Sequence, residues 1–363
     1  MQSFMAHVKR LDRVLIGASL ALACIGLLSI YSSSLRNGDF SNLEKQAGFL
    51  VIGLLLMVFF SAIDWKLLKS DPFLIFLAYA LGIIALFGLL FFAPEIRGIK
   101  RWYRIGEFLI DPIEYIKLIL LILMAKYFSL RHIEIYRVQH IIVSGLYFAL
   151  PMGLIFLQPE LGSVLILGLV WLVMLLVAGI KIRHLLALIV LAVLLFSLSW
   201  TFVLQDYQKN RLLSFVEPEL DPLGLGWSQL QSKIAIGSGG LIGKGIGNGT
   251  QTQYGFLSEP QTDFMFAAIA EETGFAGILV LFTLFFVLIS RIIKIGLEAS
   301  ANFPRIFAAG MATMLGVGIF INVGMNLGFL PIVGLPLPLV SYGGSGLIMT
   351  FIGLGILQSI RSH

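Results

Sequence analysis

Apolar runs long enough to cross a bilayer follow one another along almost the whole chain. They lie near residues 12–32, 45–63, 73–92, 112–129, 138–157, 161–179, 184–204, 264–290, 304–330 and 338–360. A hydrocarbon core about 30 Å thick takes roughly 20 helical residues. Lipid offers no partner to a backbone N–H or C=O, so each run is predicted to be an α-helix that closes its own hydrogen bonds. Strands of a membrane barrel would alternate in polarity, and these runs do not. Soluble domains carry about 25% charged residues; this chain carries 12% and is 58% hydrophobic. The expected fold class is an all-α polytopic membrane protein, one domain over 1–363 with about ten transmembrane helices.

The exception to this monotony is 205–263, a polar stretch rich in Gly and Pro between the seventh and eighth runs. Short inner connections would carry Lys9, Arg10, Arg13, Lys66, Lys69, Lys126, Arg131, Arg137, Lys181, Arg183, Arg291, Lys294, Arg305 and Arg361. Cations concentrate on cytoplasmic loops, so both termini are expected inside and 205–263 is expected as one large extracytoplasmic loop. The N-terminal run continues past Ala21-Leu22-Ala23-Cys24 to Ile30, which reads as an uncleaved first span and not a lipoprotein signal. One cysteine excludes a disulfide framework, and five scattered histidines offer no ligand spacing. No basic run is long enough to suggest nucleic acid.

Charges that resist this arrangement are the candidates for function. The outer loop 93–110 holds Arg97, Lys100, Arg101 and Arg104 beside Trp102 and Tyr103. Either it binds an anion or it is an interfacial segment touching headgroups. Glu114 and Lys117, three residues apart, share a face of the fourth span behind Asp111-Pro112. They form a structural ion pair or line a wet cavity. Glu160, in the turn Gln158-Pro159-Glu160, is expected to cap the sixth span. The run Gly237-Ser238-Gly239-Gly240-Leu241-Ile242-Gly243-Lys244-Gly245 is not a P-loop, because Ser238 stands where glycine is required and Gly245 where Ser or Thr is required. Its glycines are expected to permit tight turns and close backbone approach. Gln231 to Ile236, including Lys233, reads as a short amphipathic helix on the membrane. Asp263 opens the eighth span, either as a helix N-cap or as a reactive carboxylate at the bilayer surface. On one continuous helix Glu271 and Glu272 would lie about 12 Å deeper, as structural groups or as the lining of a polar groove.

The last two spans read Asn322-Val323-Gly324-Met325-Asn326-Leu327-Gly328-Phe329-Leu330-Pro331-Ile332-Val333-Gly334-Leu335-Pro336-Leu337-Pro338, then Ser341-Tyr342-Gly343-Gly344-Ser345-Gly346. This string resembles the signature of the SEDS family (shape, elongation, division and sporulation). The resemblance covers nearly the whole chain. Glu219 to Trp227, Gln231-Ser232-Lys233 and Gly249 to Phe256 are similar to its rod-shape branch. It implies a peptidoglycan glycosyltransferase that polymerises lipid II at the outer face of the bacterial cytoplasmic membrane, for elongation and rod shape. The family's essential aspartate matches Asp263. The usual Pro-Glu-x-His-Thr-Asp-Phe stands here as Ser258-Glu259-Pro260-Gln261-Thr262-Asp263-Phe264, so a histidine role is lost while the carboxylate is kept. Around the fourth span Pro112, Glu114 and Lys117 match, but Asp111 and Ile113 depart.

On this reading Asp263 is the base that takes a proton from the acceptor hydroxyl. Lys117, Glu114, Arg101, Arg97 and Lys233 are candidates around the departing pyrophosphate. Glu271, Glu272 and Ser341 are candidates for a polar groove. A divalent cation, Mg or Mn, is left open. The implied partners are lipid II as donor and acceptor, a class B penicillin-binding protein transpeptidase, and other membrane proteins of the elongation complex. Two other classes fit parts of the pattern: a flippase for lipid-linked precursor, using the intramembrane charges, and a scaffold without chemistry.

Overall fold

The structure is a computed structural model. It describes residues 11–70, 72–94, 101–131, 138–158, 160–202, 204, 206–216 and 224–362. Among these, nine helices are long and apolar enough to cross a membrane. They are α1 (Arg13–Ser34), α2 (Ser41–Ala62), α4 (Pro72–Phe92), α6 (Val138–Leu157), α7 (Leu161–Ala178), α8 (Ile182–Phe202), α12 (Met265–Glu298), α13 (Asn302–Leu327) and α14 (Gly344–Ser362). The short helix α3 (Trp65–Ser70) links α2 to α4, and α9 (Asp206–Val216) follows α8. The expected tenth span is α5 (Pro112–Arg131), which is long enough but carries Glu114, Lys117, Lys126 and Arg131. Such charges are not tolerated against lipid. Accordingly α5 sits inside the bundle, touching α4, α6, α7, α13 and α14, and most of its residues are buried.

Polar ends and small residues hold the bundle. In lipid, helices associate by close packing because burial of apolar surface supplies no drive. Gly355 of α14 lies so close to α2 that a Cβ there would sit 2.6 Å from Met57 O. At the opposite end from the Asp263 region, Asp12 caps α1 by accepting from Val14 N–H and Leu15 N–H. It also pairs with Arg291 of α12 at 2.7 Å and with Arg361 of α14.

Two departures from a plain helix bundle follow. First, the outer loop contains a hairpin, β1 (Tyr103–Ile105) against β2 (Phe108–Ile110), with Tyr103 opposite Ile110. Gly106 turns it at φ 62°. Its register brings the Tyr103 hydroxyl to Ala85 O at 2.7 Å, so the hairpin is tied to α4.

Second, α12 is broken at Gly274, whose φ of 65° and ψ of −165° are outside the helical range. The backbone groups released by the break are not left open. The glycine-rich segment after α10 (Leu225–Ser238) folds against them: Phe275 N–H donates to Gly240 O and Ala276 N–H to Leu241 O. Lys244 N–H reaches Glu271 O and Gly245 N–H reaches Glu272 O. This fit leaves no space at two glycines. A Cβ on Gly239 would lie 2.0 Å from Ala270 O, and one on Gly243 would lie 2.1 Å from Glu272 O. Gly239→Ala is therefore expected to destabilise the protein by about 1–3 kcal/mol or more, read as a lower thermal midpoint in detergent. Gly237→Ala, whose Cβ would meet nothing within 4 Å, should melt with the native chain. Equal melting of both variants would mean that the segment does not pack as described.

The break lies beyond Glu271 and Glu272 and leaves the helical stretch that carries them unbroken. Gln261 reaches Ser34 and Glu272 bonds Ser32, both in the last turn of α1. Those serines are only about 3 Å apart in helical rise, whereas Asp263 and Glu271 are separated by about 12 Å. Gln261 and Glu272, at the two ends of the segment 261–272, thus both reach the last turn of α1.

Candidate active site around Asp263

The first helical residue after Asp263 is Met265, with Phe264 in the cap position and no side-chain cap bond. Asp263 thus stands one residue before the N-cap position. It is half-buried. Its carboxylate faces Gly334, where an added Cβ would stand 3.6 Å from Oδ2. Gly334 has φ of 71°, so the irregular segment 328–343 turns toward Asp263 at the residue type best able to do so. Leu339 in this segment is the one non-glycine residue with positive φ among the described residues. Backbone strain of that kind persists only where neighbours impose it.

The main chain beside the carboxylate is fixed from four elements. Asn322 and Asn326 of α13 both donate to Asp263 O, at 3.1 and 2.9 Å. Ser341 Oγ donates to Thr262 O at 2.6 Å, and Tyr342 N–H donates to Gln261 O at 2.8 Å. The corner at Ser341 is in turn gripped by Gln46 of α2, which bonds Ser341 O and Gly343 N–H. Gln261, in the place of the family's histidine, accepts from Asn42 of α2 and donates to Ser34 of α1. Ser341 therefore shapes the site through backbone bonds. Asn322 and Asn326 were named in the sequence only as parts of a string; their role is legible only once α13 is placed beside 263.

Glu271 and Glu272 are brought near this site but are fully engaged. Buried Glu271 accepts from Lys244 Nζ, Thr250 Oγ1, Gln251 N–H, and both N–H and Oγ1 of Thr252. Four of those five donors belong to the helical turn α11 (Thr250–Gln253). Glu272 accepts from Ser32 Oγ and Gly247 N–H. They clamp the glycine-rich segment to α12 and α1, which replaces the groove expected of them.

The cation candidates separate into two groups. Arg97 and Lys100 lie outside the described residues. Arg101 is buried and bridges two carboxylates, Asp111 at 2.7 Å and Glu160 at 3.1 Å. Asp111 also caps α5 through Ile113 N–H, and its own N–H donates to Ser345 Oγ of α14. Glu160 makes no cap bond to α7, against expectation; it accepts from Ser163 Oγ and Arg101 instead. Burial opposes the Arg101 charge, yet Asp111, Glu160 and Glu114 more than reverse that and hold its pKa above the ordinary range. Burial pushes Glu160 up, further than its share of Arg101 pulls it back. Lys117 pairs with Glu114 at 2.7 Å. Arg101 and Lys117 are therefore neutralised by carboxylates where they stand.

Lys233 differs. It is exposed on α10, lies over Gly328 at the end of α13, and has no carboxylate partner among the described residues. The adjacent Ser232 donates to Asn326 O at 2.8 Å. Arg36, not singled out in the sequence, is also exposed and lies over Gly255, two residues past α1. No group of three or more His, Cys, Asp or Glu residues among those described is arranged to hold a metal ion. Between α4 and α6 runs an apolar groove of about 550 Å³, lined by Ile83, Ile84, Phe87, Ala149, Leu150, Gly153 and Leu154.

The chain and its fold are similar to those of a described group of proteins. The family model for the cell cycle protein FTSW_RODA_SPOVE matches residues 12–363. The chain is 37% identical over 354 residues to the peptidoglycan glycosyltransferase MrdB of Escherichia coli K12, covering 97% of this chain and 94% of that protein. It is 32% identical over 368 residues to a probable peptidoglycan glycosyltransferase FtsW of Geobacter metallireducens, covering 98% and 96%. A chain from a peptidoglycan synthase complex, described as coordinating polymerization and crosslinking, superposes with a TM-score of 0.81 at 30% identity, covering 97% of each. The rod shape determining protein RodA of Thermus thermophilus superposes at 0.72 and 30% identity, with the same coverage.

Proposed function

This chain belongs to the FtsW–RodA–SpoVE family, and from that we infer that it is a peptidoglycan glycosyltransferase of the rod-shape type, with Asp263 as its base. The acceptor is a sugar hydroxyl and the donor a disaccharide-peptide on a polyprenyl pyrophosphate, as in lipid II. The hydroxyl oxygen attacks the donor's anomeric carbon while the bond from that carbon to the pyrophosphate oxygen breaks. The hydroxyl proton passes to the Asp263 carboxylate, and the electron pair of the broken bond leaves with the pyrophosphate. A single displacement inverts the sugar centre. Pyrophosphate leaves without a strong acid, so one carboxylate suffices.

One observation carries the choice of base: Asp263 is half-buried and faces Gly334 from a main chain held by Asn322, Asn326, Ser341 and Tyr342. For the departing phosphates, the exposed Lys233 and Arg36 are better placed than the neutralised Arg101 and Lys117, because a paired cation must first lose its carboxylate. The apolar groove between α4 and α6 suits a polyprenyl tail. The inner-loop cation bias supports cytoplasmic termini and an outward-facing Asp263. A class B penicillin-binding protein would crosslink the strand.

Purified protein in detergent, given lipid II alone, is expected to yield a ladder of glycan strands. With no membrane barrier present, polymer requires an enzyme. A preparation that folds but makes no polymer, with or without the transpeptidase, would return the chain to the flippase or scaffold class.

A further inference from the structure

Asp263 precedes a first helical turn that is held by an outside side chain. In an α-helix the N–H of Ala267 would bond the carbonyl four residues back, that of Asp263. Here both groups are bonded to the same amide. Asn326 Nδ2 donates to Asp263 O at 2.9 Å, and Ala267 N–H donates to Asn326 Oδ1 at 3.2 Å. The next pair along, Ala268 N–H and Phe264 O, bonds directly at 3.0 Å.

The amide's orientation is settled by its other partners. Nδ2 also donates to Asn322 O at 2.8 Å, and Ser232 Oγ approaches Oδ1 at 3.4 Å. Turned the other way, the amide oxygen would face two carbonyls and its NH2 would face a backbone N–H. Asn326 is fully buried. A buried amide is costly unless its donors and acceptor are used, and these are used at the residue that carries the proposed base.

We infer that Asn326 is a positioning residue for the reaction. By standing between Asp263 O and Ala267 N–H it sets the direction of the Asp263 side chain, and so the line on which the carboxylate meets an acceptor hydroxyl beside Gly334. The inference rests on Asp263 being the base.

The test measures kcat and KM for lipid II polymerisation, with thermal melts, on Asn326→Asp and Asn326→Leu across pH. Asn326→Asp is isosteric but puts oxygen against two carbonyls; a protonated carboxyl can still donate to Asp263 O. Its kcat is expected to fall about tenfold to a hundredfold at neutral pH, with KM within about twofold. Relative to the native chain at the same pH, that loss should shrink as pH is lowered. Asn326→Leu has no proton to offer, so its loss should not shrink. A loss in KM alone, a kcat within about twofold of native, or a pH-independent loss in Asn326→Asp would overturn the inference. If Asn326→Leu does not fold, the pH profile of Asn326→Asp decides. Asp263→Asn is run beside them: if it polymerises normally, the base assignment itself falls. If it is inert while Asn326→Asp behaves as native, only the positioning inference falls.

Discussion

Asp263→Asn is expected to abolish glycan-strand synthesis while leaving the protein folded. A positioned general base contributes about 10²–10⁴-fold, and asparagine cannot take the hydroxyl proton. The substitution is structurally mild for a reason particular to this site. Asn322 and Asn326 bond the main-chain carbonyl of residue 263, and Ser341 bonds that of 262. All three bonds survive a change of side chain. The thermal midpoint should therefore stay with the native chain while polymer yield falls by at least about a hundredfold. Polymer from folded Asp263→Asn at more than about a tenth of the native rate would remove Asp263 from the base role. Unlike Asp263→Ala, which opens space beside Gly334, the isostere separates lost chemistry from lost packing.

The helical spans were legible because each rests on a local signal. Lipid forces a long apolar run to close its own backbone bonds, and the signature around Asp263 is contiguous. Partnership was not local. The break at Gly274 was not legible, because whether a glycine breaks a helix depends on what receives the freed groups, here residues 240–245. The hairpin at Tyr103–Ile110 occupied a loop too short and too cationic to suggest strands. Glu160 stood where helix caps stand, and the donor that draws it away, Arg101, is nearly sixty residues earlier. Asn322 and Asn326 are four apart on α13 and so share a face, which was readable; what the face meets was not.

That long-range pairing gives the second large effect. Arg101→Met is expected to cost about 3–5 kcal/mol, because it strands the buried carboxylates of Asp111 and Glu160 without their cation. The cluster joins the start of the hairpin to the first residues of α5 and α7, and Asp111 N–H reaches Ser345 at the start of α14. Loss of Arg101 should therefore loosen that whole end of the bundle and lower the detergent melting point. The sign of its pH dependence follows from the carboxylates. Burial already holds Glu160 above its ordinary value of 4.5, and removing Arg101 raises it further. A carboxyl whose folded pKa is raised favours the folded state at low pH and disfavours it as pH rises through that pKa. The deficit of Arg101→Met should thus be smallest below pH 4.5 and grow as pH rises above it. Neutralising the stranded partners as well, in Arg101→Met with Asp111→Asn and Glu160→Gln, should recover most of the stability, since a buried triad replaced as a unit leaves no lone charge. If Arg101→Met melts like the native chain, or if the triple variant melts no higher than the single one, Arg101 is not held by these carboxylates, and it becomes available to the pyrophosphate after all.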